Sequence, residues 1–375
     1  MTADLQSKSY VSESVLYMAM ELSNSKWLLA FGDGARQRQV GIAAGDIAAL
    51  REQIAKAKAK WHLAEETPVV SCYEAGRDGF WLHRQLTALE IANRVVDAAS
   101  IEVSRRARRA KTDRIDARAL LAKLIRYENG ERGVWRVVRV PEPVWEDRRQ
   151  LEREREQLLG EKKRHRSRLQ SKLVAQGIRI PINQHFVARL EEVKLFDGHA
   201  LPVHLKAGLV REFERLQAVQ GQLRAVEQEI GELVQSAEDL QAARVLPLLI
   251  GVGPVGAWTL VLEILGWREI ANRRQLASLA GLVPAPYNSG TMVRDQGTSK
   301  AGNRRVRTLL IQLAWLWLRY QPTSKHSLWF MKRFGGGSSR QRRIGIVALA
   351  RRLLIDLWRF VESGVVPEGA RLKVA

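Results

Sequence analysis

The sequence predicts an α/β layer at its N-terminus followed by a mainly helical remainder, and three observations predict it. Between Val15 and Val96, short apolar runs bounded by turn residues alternate with stretches of helical periodicity. Beyond Pro141 and Pro143, long charged segments free of proline take over, one of them stepping through apolar positions by threes and fours. The chain carries a formal charge of +21 with a pI of about 10.6, and so strong a basic balance calls for a polyanionic partner.

The order of elements follows from local pattern. Val15–Leu22 and Lys26–Phe31 form a hairpin, bordered by Gly32-Asp33-Gly34, with Glu21 near the end of the first strand. Ile47 to Trp61 is helical. Val69 to Tyr73 is a buried strand that Glu74 follows at once, and Gly76 and Gly79 bracket a turn into a helix from Phe80 to Leu89. Arg94-Val95-Val96 is a further strand. Lys111 to Leu121 then reads as a helix, since Ile115, Ala119 and Leu120 recur at helical spacing. Strands that begin as a hairpin and then alternate with helices make an α/β layer.

Four carboxylates stand out in this part. Asp113 and Asp116 are three residues apart and share a helix face. Glu21 and Glu74 end strands, where such sheets place their sites. Around the aspartates crowd Arg105, Arg106, Arg108, Arg109 and Lys111, a cationic field suited to phosphate. Oxygen ligands beside phosphate-neutralising charge suit divalent metal, and two ions would serve the attacking and leaving oxygens of a phosphoryl transfer. Each residue also has a plainer explanation: a solvated helix face for the aspartates, a helix-start charge for Glu74, an ordinary strand residue for Glu21. Taken together they resemble the RNase H-like nuclease fold in its RuvC-like, Holliday-junction-resolvase version.

Beyond residue 143 the chain divides again, giving an expected organisation of 1–143, 144–245 and 246–375. Trp145 to Ala175 is a highly charged helix. In the helix from about Leu205 to Ala243, Leu216, Val219, Leu223, Val226, Ile230, Leu233, Ala237 and Leu240 form a heptad seam. That seam fits a helical hairpin within the chain or a contact between copies, a dimer or tetramer. Leu248 to Ala257 resembles the glycine-rich turn of a helix-hairpin-helix, whose backbone N–H groups face phosphate; a plain helix–helix turn would look the same. Trp258 to Leu265 continues as helix. Leu276 to Arg307 reads as a long loop holding Asn288-Ser289-Gly290, either a nucleophile or a turn. Arg294, Lys300, Arg304 and Arg305 are phosphate contacts by type, and Ser299 either caps the next helix or touches phosphate. Gly335-Gly336-Gly337 is a hinge before a basic amphipathic helix from Arg340 to Glu362.

Other classes fall away. The one cysteine, Cys72, excludes a disulfide framework and a cysteine-rich zinc site, and the seven histidines show no paired metal spacing. Met1 to Glu13 is polar and lacks a signal-peptide core, and no long apolar span points to a membrane. The expected compartment is a reducing bacterial cytoplasm, with action at the nucleoid.

Lys111 to Ala117, Tyr73-Glu74-Ala75, and Gly281-Leu282-Val283-Pro284 through Ser289-Gly290 to Ser299-Lys300-Ala301-Gly302-Asn303 carry a family resemblance across nearly the whole chain. Their order and spacing resemble the DEDD transposases of bacterial insertion sequences, also described as bridge-RNA-guided recombinases. The resemblance implies a RuvC-like domain, a coiled-coil middle and a C-terminal transposase domain. It assigns Mg2+, two ions per site, to Glu21, Glu74, Asp113 and Asp116, and the nucleophile to Ser289. Glu21 departs from the family, which usually has Asp there. The implied partners are donor and target DNA, a structured non-coding guide RNA and further copies of the chain. Two other functions share these residues: a RuvC-like structure-selective nuclease that uses metal-activated water, and a nucleic-acid-binding protein without catalysis.

Overall fold

The computed structural model describes residues 14–102, 112–289 and 292–373, and the basic run Arg105, Arg106, Arg108, Arg109 and Lys111 lies outside them. The chain folds as two compact units, Met1–Val140 and Pro141–Ala375.

In the first unit β1 (Leu16–Leu22), β2 (Lys26–Gly32) and β3 (Gln37–Ala43) form an antiparallel meander. Helix α1 (Ile47–Lys60) leads to β4 (Val69–Glu74), which pairs parallel with β1. Helix α2 (Trp81–Ala88) leads to β5 (Ala92–Val96), parallel to β4. Among the described residues this gives a five-stranded sheet in the order β3-β2-β1-β4-β5. β3 is an addition to the sequence reading; its Gln-Arg-Gln-Val-Gly-Ile-Ala pattern carries little apolar signal because it is an edge strand.

Alternation decides what covers each face. Leu16, Met18, Met20, Leu29 and Phe31 pack with Leu50 and Ile54 of α1 and Leu82 and Leu86 of α2. Ala19, Ala30, Cys72 and Val96 point to the other face, under Ala117, Leu120, Leu121 and Leu124 of α3 (Asp113–Glu128). Small residues on the sheet let that helix sit close; a side chain at Gly32 would meet Leu121 Cδ2 at 3.1 Å.

The second unit opens with α4 (Pro143–Val174), Pro143 taking the first helical turn where its missing N–H costs nothing. After α5 (Phe186–Glu192) comes α6 (Val203–Ser236), which runs back along α4. Leu216, Val219, Leu223, Val226 and Ile230 are buried, so the seam closes within the chain as an antiparallel hairpin. Cross-links confirm the register: Arg148 to Asp239 at 2.5 Å, Arg155 to Glu227 at 3.1 Å, and His165 to Glu212 at 2.9 Å. The helix stops at Ala237, earlier than expected, and a short 3-10 turn precedes α7 (Gln241–Val245).

Leu249 and Val252 plunge into the core, and Gly251 adopts φ +96 to turn the chain into α8 (Pro254–Leu260). The N–H of Ile250 donates to the Arg371 carbonyl and that of Val252 to Leu249, so the glycine-rich segment serves as a turn between helices. Helix α9 (Arg273–Leu279) follows. The expected long loop is instead a hairpin, β6 (Pro284–Ser289) and β7 (Met292–Thr298). Then come α10 (Arg304–Tyr320), α11 (Lys325–Phe334) and α12 (Ser339–Ser363). Gly335 to Gly337 form the tight corner between α11 and α12: the Gly337 N–H donates to Phe334, and a Cβ at Gly335 would lie 2.5 Å from the Met331 carbonyl oxygen. No helix among the described residues is long and apolar enough to cross a membrane.

Candidate functional site

Register brings Glu21 and Glu74 side by side. Met20 pairs with Tyr73 at the end of the parallel β1–β4 ladder, so the next residues, Glu21 and Glu74, end neighbouring strands together. Two residues past Ala19 and Cys72, both belong to the face that α3 covers. Both line a cleft of about 610 Å3 between the β1–β2 turn and the loop after β4. Asp78 lines the same cleft. Sequence reasoning passed over it because Arg-Asp-Gly reads only as a turn.

Helix α3 brings its first turn toward that end of the sheet. The Arg114 carbonyl accepts a hydrogen bond from Gln39 Nε2 at 2.7 Å, level with Ala30 and Ala19. Leu121 lies further back, against Gly32 and so level with Tyr17. The helix therefore runs antiparallel to β1, with Asp113 and Asp116 toward the Glu21 end. Thr112 caps it, its hydroxyl accepting from the Ile115 N–H at 3.3 Å. Asp113 is exposed and Asp116 half-buried, and both suit the positive end of the helix dipole.

Four carboxylates at one sheet end are hard oxygen donors of the kind magnesium takes. Among the described residues, however, no three His, Cys, Asp or Glu side chains gather closely enough to hold a metal, so the four positions share a sheet end without forming a closed ligand set. Cys72 is not a donor. Its thiol is wholly buried, and burial first, then the charges of Glu74 and Glu128, push it well above the usual thiol range.

The second unit carries the other predicted residues. Ser289 is the last residue of β6, paired with Met292 across the hairpin tip, and Arg294 pairs with Tyr287. At the hairpin base the two glycine motifs interlock. Gly281 holds φ +66, the Ser299 N–H donates to Val283 at 2.8 Å, and the Asn303 N–H donates to Leu279 at 2.7 Å. A Cβ on Gly302 would fall 2.3 Å from Gly281 N and 2.6 Å from the Leu279 oxygen, so only glycine fits there. Arg307 braces the turn through the Lys300 carbonyl at 3.0 Å. Lys300 and Arg304 are exposed; Arg305 is held by Glu156 at 2.6 Å. Asn303, rather than Ser299, caps α10, its side-chain oxygen accepting from Arg305 and Val306.

The other end of the Asn303 amide reveals a residue that sequence reasoning missed. Its Nδ2 donates at 2.5 Å to Glu263, which is 1% exposed. Glu263 sits in a π-helical turn, Val261–Leu265, that interrupts the expected α-helix. Two arginines of α4 meet it: Arg153 at 2.6 Å, a charge contact out of line for a hydrogen bond, and Arg149 at 3.7 Å. Burial would raise the Glu263 carboxyl; the Arg153 and Arg149 charges and the Asn303 bond outweigh it and hold it below the usual range. A lone acid inside Val-Leu-Glu-Ile-Leu was the available signal, since a buried charge needs a partner.

Comparison with known proteins adds three relatives and one family. Residues 243–328, from α7 through the hairpin into α11, match the family described as Transposase IS116/IS110/IS902. A Sinorhizobium fredii protein named "Putative transposase y4rJ" is 44% identical over 375 residues, spanning 96% of this chain and 94% of its own. The transposase for insertion sequence element IS1328 of Yersinia enterocolitica is 25% identical over 58% of this chain and 63% of its own. The transposase for insertion sequence element IS1111A of Coxiella burnetii is 35% identical over 28% of each.

The buried acid predicts its own test. Glu263→Gln leaves Arg149 and Arg153 short of their counter-charge and should lower stability by roughly 3 kcal/mol near neutral pH. The folded-state pKa of Glu263 is depressed, so its contribution is complete above the ordinary glutamate value and is lost as pH falls through the lowered one. Denaturant unfolding should therefore show the gap between wild type and variant narrowing on acidification. Glu152 has the opposite sign, because burial raises its carboxyl despite the Thr259 hydrogen bond; Glu152→Gln should gain relative stability as pH rises.

Proposed function

Since this chain belongs to the IS116/IS110/IS902 family of transposases, we propose that it cuts and exchanges DNA strands through a serine-linked intermediate, directed by a structured RNA. The observation that supports the catalytic half is that four acidic positions lie toward one end of the sheet, Glu21 and Glu74 on paired strands and Asp113 and Asp116 in the first turn of α3, though their side chains are not gathered into one cluster. The strand order β3-β2-β1-β4-β5, with helices on both faces, supports reading this unit as RNase H-like and RuvC-like.

In this reading Glu21, Glu74, Asp113 and Asp116 would hold magnesium, two ions in the full site. Bound there, the ions would neutralise phosphate charge and favour ionised oxygens. Ser289 supplies the nucleophile. Its Oγ bonds to phosphorus as its proton leaves, the bridging P–O bond to one strand breaks, and that strand departs as a hydroxyl. The phosphoserine ester keeps the phosphodiester energy, so a hydroxyl from the exchanged strand can displace Ser289 and reseal the backbone. A nuclease using water would lose that energy and only cut. The Arg- and Lys-rich chain would bind RNA and DNA backbones, and assembly into a dimer or tetramer would hold two DNA partners together.

Two variants test the chemistry. Asp116→Asn should abolish magnesium-dependent strand cleavage while nucleic-acid binding persists; normal cutting by it would refute the metal site. Ser289→Ala should remove both cleavage and the protein–DNA adduct seen on denaturing gels, with wild-type attachment mapped to Ser289 by mass spectrometry. Attachment at Ser299, or recombination by the alanine variant, would overturn the nucleophile.

The RNA component is tested separately. Affinity for RNA should fall steeply with salt, by about one log unit per log unit of salt for each phosphate contact. Sequencing of RNA that co-purifies with the protein should return one structured species, preferred over random RNA of equal length; equal affinity for both would remove the guide from the proposal.

A further inference from the structure

The second unit contains a cavity of about 340 Å3 where the first turns of α9 and α11, the C-terminal half of α12 and the segment Val365–Glu368 meet. That is the space of roughly ten liquid waters. Four permanent cations line it, Arg273, Lys325, Arg352 and Arg359, against two carboxylates, Asp356 and Glu368. Lys325 and Glu368 pair with each other. Asp356 is then shared: His326 Nε2 meets it at 2.7 Å, and Arg359 lies 3.5 Å away. One carboxylate therefore balances a cluster that holds Arg273, Arg352 and Arg359, and the cavity keeps a surplus of positive charge.

The cluster is built rather than draped on a surface. His326 is 6% exposed, fixed in the first turn of α11, and its Nδ1 is buried with no hydrogen-bond partner. The Arg352 guanidinium lies over the Trp329 ring at 4.4 Å, and its Nε is likewise buried without a partner. Stacking on an aromatic face fixes the plane of an arginine while leaving its outer N–H groups to a planar or tetrahedral anion. Beside these cations stand apolar side chains that the fold leaves uncovered: Val365 is 58% exposed and Val366 37%. Gly364 takes φ +69 to end α12 and send them across the cavity.

Surplus positive charge next to an exposed apolar wall suits a ligand with an anionic head and an apolar body. We propose that this cavity binds a nucleotide through its phosphate, with Arg352 and Arg359 on the phosphate oxygens and Val365–Pro367 against the sugar and base. The choice of a nucleotide among anions rests on the DNA-handling function proposed above. The same phosphate chemistry could come from a free nucleotide or from the end of a strand.

The test is direct binding to the full chain, using deoxyadenosine 5′-monophosphate. It should bind saturably at one site per chain and raise the melting temperature, whereas adenosine without phosphate should do neither. Arg359→Gln and Arg352→Gln should each weaken binding roughly tenfold, as expected for loss of a charge-assisted contact. Arg340→Gln, at the far end of the same helix, should bind as wild type does. Because Arg352 also packs on Trp329, the exposed Arg359 variant decides the matter if the other misfolds. Competition by a phosphorylated oligonucleotide would support the site as one for a strand end, and its failure to compete would support a site for free nucleotide. Equal binding of adenosine, equal binding of inorganic phosphate, or an unchanged affinity in Arg359→Gln would overturn the proposal. Strand cleavage by the same variants reports on the enzymatic reading separately.

Discussion

The second unit depends on a near-collision of two glycines. Gly302 passes Gly281 so closely that no Cβ fits between their backbones, and this contact closes the base of the β6–β7 hairpin. It also sets where Asn303 falls. From there Asn303 caps α10 with one end of its amide and holds Glu263 with the other. The buried charge then ties the hairpin base to α4 through Arg149 and Arg153. Backbone proximity, a helix cap and a buried ion cluster thus form one connected set of contacts around the segment Ser299–Arg305.

The first unit has a different organising rule, the period of two along β1 and β4. It sends Ala19 and Cys72 under α3 and leaves Glu21 and Glu74, two steps later, on that face but past the packed core. Carboxylates there escape the cost of burial while staying beside the helix. Thr112 starts α3 so that Asp113 and Asp116 fall in its first turn, where the dipole favours them. Cap, dipole and pleat each stabilise the arrangement for local reasons, and together they bring four acids toward one end of one sheet.

Much of this was legible in the residues. The strands β1, β2 and β4 announced themselves by apolar runs ended by Gly or Glu, β5 by its Val pair, and α4 and α12 by long proline-free charged or basic amphipathic stretches. What failed was whatever depends on partners far away in sequence. β3 is polar because one of its sides has no neighbouring strand. The hairpin after Pro284 looked like loop because Pro, Asn and Gly punctuate it, and at its base the Ser299 and Asn303 N–H groups bond back to Val283 and Leu279. The heptad seam showed that α6 must be covered but not by what; α4 covers it, a choice written in Arg–acid pairs dozens of residues apart. Of the site, the positions of the acids on their elements were readable; Asp78 was not, and Glu263 was signalled only as a lone acid in an apolar run, its partners Asn303, Arg149 and Arg153 being supplied by folding.

The same distinction applies to charge. A formal +21 reads as a uniform coat for a polyanion, yet the structure spends part of it inward. Arg148 is 9% exposed against Asp239, Arg155 is 13% exposed against Glu227, and Arg153 and Arg149 serve the buried Glu263. These cations neutralise acids of their own unit and have little left for phosphate. Lys300 and Arg304, exposed in the turn leading into α10, are in the opposite position: the glycine contact and the Asn303 cap fix their backbone, while no ion pair with a carboxylate is seen for either among the described residues. Residues of one type thus divide by their partners rather than by their number. A backbone held by its own packing can present a cation to a phosphate without first ordering the loop that carries it, so less of the binding energy is lost to entropy.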